Sequence, residues 1–375
     1  MPAVRLPFDE SEASSIAGEI RELLVSGRLA MGEKTLAFER EFARFVGSRH
    51  AVAVGSGTQA LELICRSLDL SGASVMIPDL TFMATAFAPV AAGAKVILVD
   101  VDLETLQMDP GDLEDKMRPD VRAVILVHLG GFISPRHAEI REIARKNGAR
   151  FLEDAAHAHG SVIDGRPAGS LGDAAAFSFY ATKVLPTGEG GMVATSDGEL
   201  KDLMLKIRQH GQSRPGSNVH ESFGLNFRPS EIHSVLGLNV LRRAERLISQ
   251  RREAASRYDD LLSGSPFKIV HPAPGARPSY YKYPCLLPPE VPRDEFKVLL
   301  GRKHSLSLPG EVYATPLHSQ PFWKKHGELL NGPRQGFPGS LAASRRQICL
   351  PVWPGIAREA QEEVVAALKE TIGCF

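Results

Sequence analysis

A lysine, an aspartate, a serine and two glycine-rich turns are spaced in this chain as carbonyl chemistry would require. Lys183 lies in FSFYATKVLPTGEGGMV, residues 177 to 193, between an apolar, aromatic run and the glycines Gly188 to Gly191. An amine desolvated at the end of a buried strand has its charged form disfavoured. Its pKa falls from about 10.4 toward neutrality, where it serves as nucleophile and base. Ser178 stands five residues earlier, so its hydroxyl and the amine can face one crevice. In FLEDAAHAHG, an apolar strand ends in Glu153 and Asp154, and a shielded Asp154 could hold a protonated ring nitrogen. A third stretch, AVAVGSGTQALELICRSL, reads as strand, tight turn and helix start, with Gly55 to Thr58 placing free amides where an anion could bind. Each also has an ordinary reading: a surface lysine, a capping aspartate, a turn built for geometry alone. His157 and His159 could ligate a metal by type, yet no third ligand stands at suitable spacing, so no metal site is expected.

The elements that must position these residues alternate. Apolar runs near 51–54, 75–77, 96–99, 123–127, 150–152, 174–179 and 192–195 are separated by segments able to form helices. Uniformly apolar runs such as AVILV suit a parallel sheet covered on both faces. The expected fold is therefore α/β: a large domain with a seven-stranded, mostly parallel sheet sandwiched by helices, and a smaller C-terminal α+β domain. Helical periodicity marks residues 13–26 and 35–45 and one long helix from Ser230 to about Leu262. Prolines and glycines then crowd 264–292 and 332–354, which places the large domain, with an N-terminal arm, at residues 1–245 and the small one at 246–375.

Composition excludes several classes. Of 375 residues, 43% are hydrophobic and 23% charged, and 44 basic residues balance 44 acidic ones, so no strong field draws the chain to nucleic acid or anionic lipid. Any anion must be bound locally. Four scattered cysteines, with no C-x-x-C pair, fit a reducing cytoplasm better than a disulfide framework, and no apolar run is long enough to span a membrane.

SGTQAL, DLTFMATA, VDVD, EDAAHAHG, FSFYATK, TGEGG, RQHG and FGLNFRPSEI, with PLHSQP and ICLPVWP in the last third, occur in an order and spacing that resembles the DegT/StrS family of sugar aminotransferases, from about residue 15 to 360. These are pyridoxal 5′-phosphate enzymes of the aspartate aminotransferase fold. The resemblance implies that Lys183 is the Schiff-base lysine, Asp154 the partner of the pyridine nitrogen, and Phe82 the aromatic group stacked on the ring. Gly57, Thr58, Gln59 and Ser178 match the phosphate cradle. Asn226 or Arg228 matches the region that reaches phosphate from a neighbouring subunit, which implies an obligate homodimer with shared sites. His157 matches a position near the ring substituents. Val184, His233 and VHLGG depart from the commoner asparagine, glutamine and VHLYG. The implied reaction moves an amine from glutamate or glutamine to a nucleotide-linked keto-sugar, with a keto-cyclitol as the alternative acceptor. A branch that removes a hydroxyl instead replaces the lysine with histidine, and a regulatory member without catalysis would lose Lys183 or Asp154; this chain keeps both. By position alone, the acceptor pocket is expected to draw on the N-terminal arm and on Tyr313, His318 and Trp353, although core packing would equally explain Tyr313 and Trp353.

Overall fold

The computed structural model describes residue 6 and residues 8–214, 216–333 and 336–375, so most of the N-terminal arm lies outside the described residues. Helix α1 (Glu10–Ser26) starts at Asp9, whose side chain and that of Glu12 cap each other's backbone, and stops at Gly27 in left-handed geometry. Helix α2 (Glu33–Phe45) follows, then β1 (His50–Val54), α3 (Gly57–Ser67), β2 (Ser74–Pro78), α4 (Met83–Ala91), β3 (Lys95–Val99), α5 (Pro110–Asp115), β4 (Val121–Val127), α6 (His137–Lys146) and β5 (Arg150–Asp154). Two short strands, β6 (Val162–Ile163) and β7 (Arg166–Pro167), precede β8 (Ala174–Ser178), β9 (Gly191–Thr195) and α7 (Gly198–Arg208).

The seven apolar runs form one sheet in the order β1-β9-β8-β5-β4-β2-β3. Only β9 runs against its neighbours, β1 and β8. The strands are apolar throughout because both faces are covered. Helices α3, α4 and α7 bury Leu61, Ile64, Ala88 and Met204 on one side. On the other, α2 contributes Phe38 and Phe42, and α6 contributes Ile140 and Ile143. Six parallel strands therefore end at the same edge, and Gly55, Asp154 and Ser178 gather there.

The long helix expected over 230–262 is two, α8 (Glu231–Arg242) and α9 (Ala244–Leu262), parted at Arg243 with φ −108° and ψ 4°. No proline or glycine breaks it. The apolar stripe changes partner instead: Val235 packs with α1, whereas Ala254, Tyr258 and Leu262 belong to the C-terminal core. Arg243 is drawn aside to pair with Glu12. That second core surrounds a small antiparallel sheet of β10 (Lys268–Ile269), β12 (Tyr283–Leu286) and β13 (Gln347–Leu350), packed by α9, α10 (Arg293–His304) and α13 (Arg358–Ile372). Strand β11 (Ala276–Arg277) instead joins β6 and β7.

Division near residue 245 is the proposal that two cores suggest, and besides β11 a longer strap crosses it. Between α10 and α12 (Pro338–Arg346), the chain, including the short helix α11 (Phe322–Lys325), returns to the large sheet. Leu317, Trp323 and Phe337 enter the sheet's core, and Asn331 donates its amide to the carbonyl of Val96 at 2.8 Å.

Candidate active site

Lys183 leaves β8 through a loop that the backbone holds tightly. Phe179 donates to Gly190 at 2.9 Å, Thr187 donates to Phe179 at 2.8 Å, and Lys183 itself donates to Tyr180 at 2.8 Å. Gly190 adopts φ 155°, and a Cβ there would stand 2.7 Å from Thr187 Oγ1, so this turn requires glycine. The amine lies 4.6 Å from the centre of the Tyr281 ring. Burial pushes its pKa down to about 8, an effect that Asp154 opposes and Lys282 reinforces. A useful share of the amine is thus neutral near physiological pH.

Asp154 ends β5 and is buried at 7% exposure. Burial raises its pKa, while Thr85 Oγ1, donating to Oδ2 at 2.8 Å, and the amide of Ala156, donating to Oδ1 at 3.2 Å, favour the carboxylate. Thr81 and Thr85 share a further hydroxyl contact at 2.9 Å; since Thr85 gives its proton to Asp154, it accepts from Thr81. Neighbouring Glu153 is held differently. It accepts from the amides of Gly169, Leu171 and Gly172 and contacts His128 Nε2 at 2.8 Å, which makes it a fixture of the fold behind the site.

The first turn of α3 opens into the same cavity. Ser56 caps it by accepting from the amide of Gln59 at 3.2 Å; among the described residues nothing accepts from the amides of Gly57 and Thr58. A Cβ on Gly57 would come within 2.7 Å of Ser178 Cβ, so the glycine lets the helix start and the end of β8 approach as a cradle of two amides and a hydroxyl.

His157 forms the adjoining wall. Its Nδ1 accepts from the amide of Gly130 at 3.2 Å, which leaves the ring proton on Nε2, 3.3 Å from Tyr313 Oη. Burial, with Lys183 and Lys282 nearby, holds its pKa well below 6.5, so the ring is neutral. It packs against Tyr281 at 4.2 Å between centroids. Phe82, 60% exposed, stands across the opening, stacked at 6.0 Å with Tyr313.

These groups enclose a cavity of about 620 Å³. It brings together Lys183, Asp154, Gly57, Thr58, Phe82, His157, Ser178 and Tyr313 from the residues singled out in the sequence. Gln59 is not among its lining; its side chain turns back to accept from the amide of Gly55 at 2.8 Å. His318 is not there either: Asp79 holds its Nδ1 at 2.6 Å and its amide at 2.7 Å, and its ring stacks on Phe337. Trp353 is buried in the C-terminal core. Asn226 and Arg228 lie outside this chain's own cavity and hydrogen-bond each other at 2.9 Å. A larger cleft of about 720 Å³ runs beside α2 and α8, lined by surface charges such as Arg40, Arg44 and Arg242. None of the groups around Lys183 reaches it. Among the described residues, no cluster of three histidine, cysteine, aspartate or glutamate side chains could hold a metal ion.

Sequence reasoning missed Thr85, Tyr281, Lys282 and Glu311. Thr85 carried a signal, because it lies one helical turn after Thr81 just beyond the end of β2. Tyr281 and Lys282 arrive from a stretch about a hundred residues after Lys183, with no motif to announce them. They dock at Gly131, which adopts φ 94° and where a Cβ would meet Ser279 Oγ at 2.7 Å and the amide of Tyr281 at 3.0 Å.

A profile of the DegT/DnrJ/EryC1/StrS aminotransferase family matches residues 10–369. The spore coat polysaccharide biosynthesis protein SpsC of Bacillus subtilis is 34% identical over 94% of this chain and 93% of its own. A dTDP-4-dehydro-2,3,6-trideoxy-D-glucose 4-aminotransferase of Saccharopolyspora spinosa is 32% identical over 90% and 89%. Among solved structures, DesV of S. venezuelae in complex with a ketimine intermediate superposes with a TM-score of 0.89 at 30% identity, covering 99% of both chains.

Proposed function

Because the chain belongs to the DegT/DnrJ/EryC1/StrS aminotransferase family, we propose that it carries an amino group from glutamate or glutamine to a keto group on a nucleotide-linked deoxysugar. The enzyme is a pyridoxal 5′-phosphate-dependent transaminase, and the residues around its cavity fit that cofactor. A buried carboxylate whose hydrogen bonds come from neutral donors suits a protonated ring nitrogen. A helix start with two free amides suits a phosphate.

Bound there, the cofactor supplies a sink for the electron pair left when a proton departs the carbon beside the amine. The chain's own residues do the rest. Lys183 anchors the carbonyl end and, with a pKa of about 8, takes that proton and returns it. Asp154 keeps the ring nitrogen charged, and the Thr81-Thr85 hydroxyls keep Asp154 ionised and oriented. Gly57, Thr58 and Ser178 receive the phosphate, while Phe82 and neutral His157 confine the ring. Asn226 or Arg228, lying outside this chain's own cavity, reaches the cradle from a second copy in this reading, and the working unit is a homodimer. A cytoplasmic site of action belongs to the same reading; the cysteines are free, and three of them, Cys65, Cys285 and Cys349, are buried. No helix of the described residues is long and apolar enough to cross a membrane.

One observation carries this proposal: an amine of lowered pKa and a buried carboxylate of raised pKa face one cavity at a helix start. The purified protein should be yellow, and borohydride should bleach it while fixing the cofactor's mass to the peptide containing Lys183. Mass on another lysine would end the assignment. The reverse reaction, run separately with aminosugar nucleotides and with aminocyclitols, identifies the acceptor; conversion by aminocyclitols alone would replace the nucleotide-sugar reading.

A further inference from the structure

Lys282 is a second cation in the cavity, and no part of the chemistry above uses it. Its Nζ donates to the carbonyl of Gly310 at 3.0 Å. An ammonium has three donors, so two remain. The next residue, Glu311, also lines the cavity, yet its carboxylate is turned to Lys297 at 2.6 Å and Arg293 at 3.7 Å. Asp154 lies deep in the site, engaged by Thr85 and Ala156. Among the described residues, Lys282 therefore has no carboxylate at ion-pair distance. Lys282 is half-buried and its ammonium is open to solvent, so the single carbonyl leaves its charge available to an anion entering the cavity.

Its placement relative to the reacting centre is defined. Lys282 Nζ stands 5.8 Å, and Lys183 Nζ 4.6 Å, from the centre of the same Tyr281 ring. The two amines can be no farther apart than those distances laid end to end. A substrate reacting at Lys183 and carrying a negative group a few atoms away can reach both.

We propose that Lys282 is a specificity-determining residue that binds a negatively charged oxygen group of the substrate, a carboxylate or a phosphate, while the reacting carbon lies at Lys183. The proposal rests on the aminotransferase reading and deepens it. That chemistry has two sources in such a reaction: a carboxylate of the amino donor and the diphosphate of a nucleotide-linked acceptor. Asp79, Asp100 and Glu153, the other buried acids at this end of the sheet, are each engaged by backbone amides and do not compete for the lysine.

The test uses the holoenzyme and two variants. Lys282→Gln can still donate to Gly310 but loses the charge; Lys282→Arg keeps the charge. KM and kcat are measured separately for glutamate and for the acceptor, at low and high ionic strength, and glutarate and dTDP are titrated into the pyridoxal form as unreactive probes. In Lys282→Gln, one KM and the matching dissociation constant should rise by about tenfold to a hundredfold, the loss expected for a charge-assisted contact. The kcat should change less, the salt dependence should flatten, and Lys282→Arg should recover most of the affinity. A rise confined to glutamate and glutarate assigns the donor carboxylate, and one confined to the acceptor and dTDP assigns the diphosphate. The inference is overturned if neither probe binds the wild type, if Lys282→Gln shifts both probes by less than about twofold, or if it lowers kcat and melting temperature with both KM values intact, as a purely structural lysine would. A wild type that turns over no donor would refute the proposed function, whereas the glutarate and dTDP titrations would still report on Lys282.

Discussion

Replacing Thr85 with valine removes one hydroxyl and should move cofactor binding along the pH axis. Thr85 Oγ1 donates to Asp154 Oδ2 at 2.8 Å, in a place where Thr85 is fully buried. A hydrogen bond to an ionised group contributes about 1.5–3 kcal/mol, and one pKa unit corresponds to about 1.4 kcal/mol. Burial already raises the pKa of Asp154. Losing this donor, which favours the carboxylate, should raise it further. Between the wild-type and the variant pKa, the variant's apoprotein carries a proton on Asp154, which must leave before the carboxylate can pair with a protonated ring. As pH falls through that window, the variant's dissociation constant for pyridoxal phosphate should climb above the wild type's, reaching about ten to a hundred times larger below the wild-type pKa. Above the variant's pKa, the difference should fade. Equilibrium titration of the apoprotein with the cofactor across a pH series measures this, with Thr85→Ser as the variant that restores the bond. The valine also leaves Thr81 without its acceptor, a cost of about 1–3 kcal/mol in stability that does not follow the same pH curve. An affinity loss equal at every pH, or a serine variant as poor as the valine, would refute the reasoning.

Two further outcomes follow from the site's geometry. Gly57→Ala should force Ser178 and the start of α3 apart, because the new Cβ would lie 2.7 Å from Ser178 Cβ; cofactor affinity, read by the same titration, should fall, and unchanged affinity would remove the cradle assignment. Lys183→Met should abolish turnover and, without cofactor, melt higher than the wild type near neutral pH. The folded amine titrates at about 8 and the unfolded one at about 10.4, so its buried charge burdens the native state fully below pH 8, and the burden lifts as pH rises through that window. The gap between the two melting curves should therefore close from about pH 8 to 10.4, and a constant gap would show that the amine is not the cause.

The sheet was legible because each of its seven strands is covered on both faces and so reads as an uninterrupted apolar run, as in AVILV of β4. Helix α8 was merged with α9 because periodicity records that a face is apolar, not which core it enters. Within the site, Ser178 and Asp154 end β8 and β5, and Lys183 lies in the loop that follows β8, where parallel topology points residues to a common edge. Tyr281 and Lys282 belong to another layer, brought in by the close approach at Gly131, and local pattern holds no trace of that docking. His318 shows the converse error. Proline-flanked and near in sequence to Tyr313, it was expected to face substrate, but Asp79 ties it down outside the cavity.

The strap between α10 and α12 bears on how the chain becomes a protein. Leu317, Trp323 and Phe337 fill the core beneath α3 and α4, yet they are made long after the sheet they complete. Domains generally fold as units, N-terminal first, as synthesis proceeds. Here, the N-terminal unit emerges from the ribosome with an apolar vacancy that only later residues close. The lysine and aspartate of the site are therefore translated early, on a scaffold whose completion waits for the strap.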